Sequence, residues 1–195
     1  MKTVFFDVDT QLDFMYPAGA LYVPGAEKIV EQIAVLNRFA GAQGIPLVST
    51  MDAHTENDPE FLAWPPHCVA GCIGQHKPES TLLSRRVVVP NTPGELAIEN
   101  GQQILLEKQT FDCFTNVNLA RILEQSGAER YVVYGVVTEI CVKLAAWGLL
   151  KTGERVELVT DAVRSLNDAA AAAMTDAFLA AGGVLTTVSV ATRRP

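Results

Sequence analysis

The chain has 195 residues and a formal net charge of -7, from 22 acidic and 15 basic side chains, so it lacks the basic surface of a nucleic-acid-binding protein and would be repelled by anionic membranes. Hydrophobic residues make up 49% of the sequence, but no apolar run reaches the roughly 18 residues that span a bilayer. The length favours one domain over residues 1–195 that acts on a small molecule.

The N-terminal segment and the cysteines indicate a cytoplasmic protein. Met1 leads almost directly into the apolar run Val4-Phe5-Phe6 and then into acidic residues, without the regions of a secretory signal. The cysteines are therefore expected to be reduced thiols, and their spacing contains no CxxC pair. They are Cys68, Cys72, Cys113 and Cys141.

Apolar runs of strand length alternate along the chain with segments of helical periodicity, a pattern typical of βαβ units. The predicted strands are residues 3–9, 46–52, 87–89, 103–108, 130–136, 155–160 and 184–190. The predicted helices are residues 26–42, 116–125, 139–150 and 167–180. Residues 53–84 lack a clear period and are expected to form a long loop over the carboxyl ends of the strands. We predict an α/β three-layer sandwich with a mostly parallel, Rossmann-like central sheet.

Cys141 is a candidate nucleophile. Residues 131–141 are predicted to form a buried strand, a turn and the start of a helix that Thr138 caps, which places Cys141 in the first helical turn. The free amides and the positive end of the helix dipole at such a position can lower a thiol pKa from about 8.5 toward 7 or below. The same amides can stabilise an oxyanion. On this segment alone, an inert cysteine in the core is an equally good interpretation.

Two further strand ends carry groups that could act with Cys141. Asp9 ends the first predicted strand and Lys108 ends the fourth. Taken singly, Asp9 is interpreted as a loop cap and Lys108 as a lysine that reaches for water. A nucleophile, an acid and a base at one sheet edge together favour an active site.

A possible metal site follows the second strand. Asp52 and His54 are two residues apart, and Glu60 and His67 follow in the long loop. Aspartate, histidine and glutamate are ligands that Zn²⁺, Fe²⁺ or Mn²⁺ accept. The alternative is that Asp52 caps a turn and the histidines form local hydrogen bonds.

Five ordered motifs together resemble the isochorismatase-like cysteine hydrolases, and nicotinamidases in particular. They are the D-x-Q-x-D-F opening at Asp9 to Phe14, the D-x-H pair at Asp52 and His54, the W-P-x-H-C-x-x-G segment from Trp64 to Gly71, Lys108, and the G-x-x-T-x-x-C-V turn from Gly135 to Val142. The resemblance covers nearly the whole chain.

The resemblance implies a mechanism for amide hydrolysis. Asp9 takes the thiol proton, Lys108 holds the charges of Asp9 and Cys141 together, and Cys141 attacks a small amide to release ammonia and form a thioester that water then cleaves. The amides of Val137 and Cys141 hold the oxyanion beside a cis peptide bond between Val136 and Val137.

The resemblance also implies a divalent metal that orients the substrate ring, with Zn²⁺ expected first and Fe²⁺ or Mn²⁺ as alternatives. Its ligands are Asp52, His54, Glu60 and His67, with Glu60 in place of the histidine of many members. The substrate-binding residues carried over are Phe14, Trp64, Phe111, Asp112 and Cys113, of which the last two depart from the family pattern. The family often forms homo-oligomers, so a homo-oligomer is expected by analogy.

Other functions are kept as alternatives. A hydrolase of carbamoyl or ureido substrates in the same family is the first of these. A haloacid-dehalogenase-like phosphatase is less favoured, because Thr10 stands one residue too early for the D-x-D-x-T motif and only Asp161 matches its later acidic pair. A non-catalytic binding protein and a true isochorismatase are disfavoured by the joint presence of Asp9, Lys108 and Cys141. No G-x-G-x-x-G follows the first strand to suggest a dinucleotide site.

Overall fold

A computed structural model describes residues 1–94 and 101–193. Its strands are β1 (Thr3–Val8), β2 (Leu47–Asp52), β3 (Arg86–Val89), β4 (Gln103–Lys108), β5 (Arg130–Val136), β6 (Arg155–Arg164) and β7 (Val184–Thr186). They form one seven-stranded sheet in the order β3-β4-β2-β1-β5-β6-β7, and every pairing in it is parallel. The predicted α/β class with its parallel central sheet is confirmed.

Helices cover both faces of this sheet. They are α1 (Leu12–Met15), α2 (Val30–Ala42), α3 (Leu119–Ser126), α4 (Lys143–Leu150), α5 (Asp168–Ala180) and α6 (Val188–Ala191). Because neighbouring residues of a strand point to opposite faces, Phe5 of β1 packs with Ile33 of α2 in one core cluster. Phe6 belongs to a second cluster with Leu149 of α4 and Phe178 of α5. The chain therefore builds a three-layer sandwich. No helix in the described ranges is both long and apolar enough to cross a membrane.

Two predicted strands differ from the structure by more than one residue at an end. The strand predicted at residues 184–190 ends at Thr186, because the chain turns into α6, whose first amide, at Val188, donates to Asp161 Oδ1 over 2.8 Å. The strand predicted at residues 155–160 continues to Arg164, because Val163 and Arg164 pair with the end of β5. The predicted helix at residues 26–42 is likewise divided into a 3₁₀ turn, Ala26–Ile29, and α2.

Gly135 lets β5 approach β1 closely. It has a φ of +118°, in a region that side chains rarely adopt, at a shift of register between β5 and β6. A Cβ atom there would lie 2.1 Å from the carbonyl oxygen of Val8, which is backbone and cannot move aside. The residue is thus required where β5 leads into the turn that carries Cys141.

We expect Gly135→Ala to lower the free energy of unfolding by about 3 kcal/mol, since it combines backbone strain with overlap of a buried neighbour. Urea unfolding followed by circular dichroism measures this. Gly44→Ala is the matched control: Gly44 also has a positive φ, of +67°, but no heavy atom lies within 4 Å of the place that a Cβ would occupy. It should cost only about 1 kcal/mol, and equal losses for the two variants would contradict the steric explanation.

Candidate active site

Four neighbouring strands deliver chemically active side chains to the same edge of the sheet. Asp9 follows β1, Asp52 ends β2, Lys108 ends β4, and Cys141 lies in the turn after β5. In the parallel register Asp52 is paired directly with Lys108. The structure thus brings together the three predicted catalytic residues and the first predicted metal ligand at the carboxyl ends of the strands, where α/β folds bind ligands.

Lys108 lies at the centre of this group. Its buried ammonium is 2.9 Å from Asp9 Oδ2, contacts Asp52 Oδ1, donates to the carbonyl oxygen of Thr110 over 3.0 Å and is 4.0 Å from Cys141 Sγ. Burial alone would lower the pKa of Lys108, but the Asp52 and Asp9 carboxylates hold that pKa well above its usual range. Lys108 is therefore a permanent cation that links the two carboxylates to the thiol.

The carboxylate of Asp9 is fixed from both sides. Oδ1 accepts a hydrogen bond from the Thr50 hydroxyl over 2.7 Å, and Oδ2 faces Lys108. The backbone of Asp9 is in the left-handed region, with a φ of +49°, which is uncommon for a residue other than glycine. This conformation turns the chain out of β1 and leaves the carboxylate buried at the sheet edge.

Cys141 lies in a π-helical turn, Thr138–Val142, that precedes α4. The predicted cap by Thr138 is wrong, because its hydroxyl donates to the carbonyl oxygen of Arg164 over 2.9 Å. Single π turns recur at functional sites. The peptide bond between Val136 and Val137 is cis, as the resemblance implied.

The prediction of a lowered thiol pKa is also wrong for this structure. Burial raises the pKa of Cys141 well above its ordinary value; Lys108 opposes the rise, while Asp9 and Asp52 add to it. A thiol beside two carboxylates and one ammonium keeps its proton. A reaction at the Cys141 sulfur would therefore require a base, and Asp9 carries a carboxylate at the same edge of the sheet.

The predicted metal ligands converge on one point beside Lys108. Asp52, His54 and His67 form a buried cluster whose ligand atoms all lie within 4.8 Å of one another. Asp52 Oδ2 lies 3.9 Å from His54 Nε2 and 4.0 Å from His67 Nε2, and Glu60 Oε1 lies 3.9 Å and 3.7 Å from the same two nitrogens. A tetrahedral zinc site with bonds of about 2.1 Å has ligand separations of about 3.4 Å, so these four separations exceed the tetrahedral value by a few tenths of an ångström.

The chemistry of these side chains also fits a metal. The His67 Nδ1 atom is 2.8 Å from the carbonyl oxygen of Pro65, which makes Nδ1 the donor and leaves Nε2 free. Burial lowers the pKa of His67, so the ring is neutral, as a ligand must be. Nε2 of His54 is buried without a hydrogen bond in the described part of the chain, while Nδ1 lies 3.1 Å from Asp58 Oδ2. Burial raises the pKa of Asp52 to about 6, and Lys108 opposes the rise. A buried polar atom without a partner, such as Nε2 of His54, is costly unless a ligand satisfies it.

A pocket that takes in about 340 Å³ of empty space, part of it open to solvent, lies beside Cys141. It is lined by Asp9, Phe14, Leu21, Asp52, Glu60, Trp64, His67, Phe111, Val136, Val137, Ile140, Cys141 and Leu166. Its mainly apolar and aromatic lining, with a few polar groups, is typical of a small-molecule site. The predicted binding residues Phe14, Trp64 and Phe111 thus form its aromatic walls, and the two predicted oxyanion residues, Val137 and Cys141, line it as well.

Asp112 and Cys113 do not line this cavity, contrary to prediction. The Asp112 carboxylate accepts the amide of Phe114 over 2.9 Å and so caps a short 3₁₀ turn, Cys113–Thr115. Cys113 is buried in the core cluster that contains Phe6. The carboxylate of Asp112 points to the turn that it caps and the thiol of Cys113 points into the core, so neither side chain faces the cavity.

Several residues of the site were missed in the sequence. Phe61 packs against both histidine rings, with centroids 5.3 Å from His54 and 5.7 Å from His67. Leu166 reaches the cavity because Glu139 Oε1 accepts the amides of Leu166 and Asn167 over 2.9 and 2.8 Å. No periodicity or motif signals these residues, since contacts between distant segments place them.

Comparisons with known proteins agree with this geometry. A sequence profile of the isochorismatase domain matches residues 3–189. The nicotinamidase of Saccharomyces cerevisiae is 24% identical in an alignment of 202 positions, gaps included, that covers 86% of this chain and 90% of that protein. The structure of the pyrazinamidase of Pyrococcus horikoshii in complex with zinc superposes with a TM-score of 0.79 at 27% identity, over 96% of this chain and 99% of that one. The N-carbamoylsarcosine amidase of Thermoplasma acidophilum gives 0.78 at 25% identity, over 96% and 97%.

Proposed function

This chain belongs to the isochorismatase family, and on that premise we propose that it hydrolyses nicotinamide or a similar small, neutral heteroaromatic amide to ammonia and the carboxylic acid. Relatives in the family place it among hydrolases of carbon–nitrogen amide bonds. The observation that carries the proposal is the position of the Lys108 ammonium, which contacts Asp9 and Asp52 and lies 4.0 Å from the sulfur of Cys141.

In the first half-reaction Asp9 takes the proton of the Cys141 thiol as the sulfur attacks the amide carbonyl carbon. Lys108 stabilises the negative charge as it moves from the Asp9 carboxylate to sulfur and then to the carbonyl oxygen. The backbone amides of Val137 and Cys141 donate to that oxygen. Asp9 returns the proton to the leaving nitrogen, the carbon–nitrogen bond breaks, ammonia departs and a thioester remains on Cys141.

The second half-reaction uses the same groups in reverse order. Asp9 takes a proton from a water molecule, whose oxygen attacks the thioester carbon. The carbon–sulfur bond breaks, the acid is released, and the proton held by Asp9 returns to the sulfur of Cys141. One carboxylate therefore serves as base and then as acid in each half-reaction.

Asp52, His54, Glu60 and His67 would hold a divalent metal, with Zn²⁺ expected first and Fe²⁺ or Mn²⁺ as alternatives. When bound, it supplies a Lewis-acid position for a ring nitrogen of the substrate. The charges of the side chains favour a divalent cation at this position. The carboxylates of Asp9, Asp52 and Glu60 carry three negative charges against the one positive charge of Lys108, and a divalent ion would neutralise the remaining two.

The charge of the cavity favours a neutral substrate over a carbamoyl amino acid. No lysine or arginine is among its lining residues in the described part of the chain, and the ammonium of Lys108 is already shared by two carboxylates. The rest of the lining is mainly apolar or aromatic. The described lining thus offers a substrate carboxylate no cationic side chain, and the one cation proposed for the site is assigned to a ring nitrogen. A carboxylate would therefore lose its hydration there with little compensation.

We therefore expect kcat/KM for nicotinamide or pyrazinamide to exceed that for N-carbamoylsarcosine by at least about 100-fold, because an unpaired charge in a dry site costs several kcal/mol. Ammonia release from a panel of these amides measures the ratio. Phosphate release from aryl phosphates, assayed in parallel, tests the phosphatase alternative. A preference for N-carbamoylsarcosine would show that the chain is a carbamoyl hydrolase instead. Turnover of phosphate esters alone would overturn the amidase proposal.

A further inference from the structure

Asp58 lies behind the proposed metal ligands and contacts two of them. Its Oδ2 atom is 3.1 Å from Nδ1 of His54, on the side of the ring away from the ligand cluster. Its Oδ1 atom accepts the backbone amide of Glu60 over 2.9 Å and caps the 3₁₀ turn Pro59–Leu62. The side chain of Asp58 is only 9% exposed. One carboxylate thus touches His54 and fixes the turn that carries Glu60.

This contact determines which nitrogen of His54 is free. A carboxylate is an acceptor only, so its neighbour Nδ1 is the nitrogen that carries the proton in the neutral ring. The lone pair then lies on Nε2, the nitrogen 3.9 Å from both Asp52 Oδ2 and Glu60 Oε1. For His67 the carbonyl oxygen of Pro65 acts in the same way. Carboxylates behind metal-binding histidines commonly orient the ring and raise its basicity.

The geometry points to Asp58 as a positioning residue that sets the affinity of this site for a divalent cation by fixing the tautomer of His54 and the position of Glu60; this inference rests on the metal site of the proposed function. Asp58 touches neither the cavity nor Cys141 within the described contacts. Its loss should therefore weaken metal binding without impairing the chemical step once metal is bound.

Two variants of Asp58 distinguish its proposed effect on metal affinity from its capping of the 3₁₀ turn Pro59–Leu62 alone. Asp58→Asn keeps an oxygen to accept the amide of Glu60 but can present an N–H to His54 Nδ1, which favours the tautomer whose Nε2 is protonated. Asp58→Ala removes both contacts. We expect each variant to raise the Kd for Zn²⁺ or Co²⁺ by roughly 10- to 100-fold, measured by competition with a chromophoric chelator. At saturating metal, kcat should stay within about threefold of the wild type.

Asp161→Asn is the matched control, because Asp161 also accepts an amide at the start of a helix, that of Val188, but belongs to no ligand cluster. Its metal affinity should equal that of the wild type. An Asp58→Asn variant that binds metal as tightly as the wild type would overturn the inference while leaving the proposed function standing. A wild type that binds no divalent metal would overturn both the metal site and the inference.

A second measurement needs no variant of Asp58. In metal-free wild type at alkaline pH, the ¹⁵N chemical shifts of the His54 ring should report the tautomer protonated at Nδ1. The chain has only three histidines, so His76→Gln and His67→Gln variants assign the signals. A His54 ring protonated at Nε2 would contradict the role of Asp58 even if its substitution prevented folding.

Discussion

Cys141→Ala should reduce ammonia release from the amide substrate by at least about 10⁴-fold, because it removes the only group proposed to form the covalent intermediate. The fold should survive. Cys141 is 7% exposed, and its sulfur is approached by Lys108 at 4.0 Å and by the Asp9 carboxylate, so the change removes one sulfur atom from a site next to an existing pocket. Steady-state kinetics with ammonia detection and a thermal unfolding curve check both parts.

Cys72→Ala is the control for this substitution, since Cys72 is exposed and lines no part of the cavity. It should keep wild-type activity. Acid quenching during turnover followed by mass spectrometry should find an acyl adduct on Cys141 in the wild type and on no cysteine in Cys141→Ala. Activity that survives in the alanine variant would refute nucleophilic catalysis by this thiol, whatever the substrate.

The strand ends explain why so much of the site was predictable from the sequence. Parallel strands must bring their carboxyl ends to one edge, so Asp9, Asp52 and Lys108 were placed on that edge as soon as their strands were identified. The order of the strands was not predictable, and it is the order β4-β2-β1-β5 that sets Lys108 beside both carboxylates. The shared edge favoured an active site of Asp9, Lys108 and Cys141, and the ordered motifs, by their resemblance to a family, gave each of these residues its expected role.

Local geometry accounts for the predictions that were wrong. Thr138 does not cap its turn because its hydroxyl donates to the carbonyl oxygen of Arg164 in β6, a contact that no spacing reveals. The pKa of Cys141 depends on burial and on two carboxylates from other strands, which outweigh the Lys108 cation. Asp58 is a case that the sequence could not reveal. In the sequence it is one of several acidic residues in a loop, and only the fold brings its carboxylate to Nδ1 of His54.

Lys108→Met should be the substitution with the greatest combined effect on stability and activity. Lys108 is fully buried between the carboxylates of Asp9 and Asp52, and its removal leaves two buried negative charges without a cation. Breaking a buried ion pair in this way costs about 3–5 kcal/mol. Activity should fall by at least about 10³-fold as well, since a carboxyl that has taken up a proton to relieve the repulsion cannot accept another from Cys141. Urea unfolding of chelator-treated protein measures the stability without interference from bound metal.

The pH dependence of that loss distinguishes an electrostatic cause from a packing defect. Burial raises the pKa of Asp52 to about 6 even in the presence of Lys108, and the pKa must rise further once the cation is gone. A carboxyl with a folded-state pKa above its unfolded value binds more protons in the folded state, so its contribution to stability decreases as pH rises through that range. The deficit of Lys108→Met relative to wild type should therefore be smaller at pH 5 than at pH 8. Lys143→Met, at an exposed position of α4, should show no such trend, and a deficit of equal size at both pH values in Lys108→Met would indicate lost packing instead of unpaired charge.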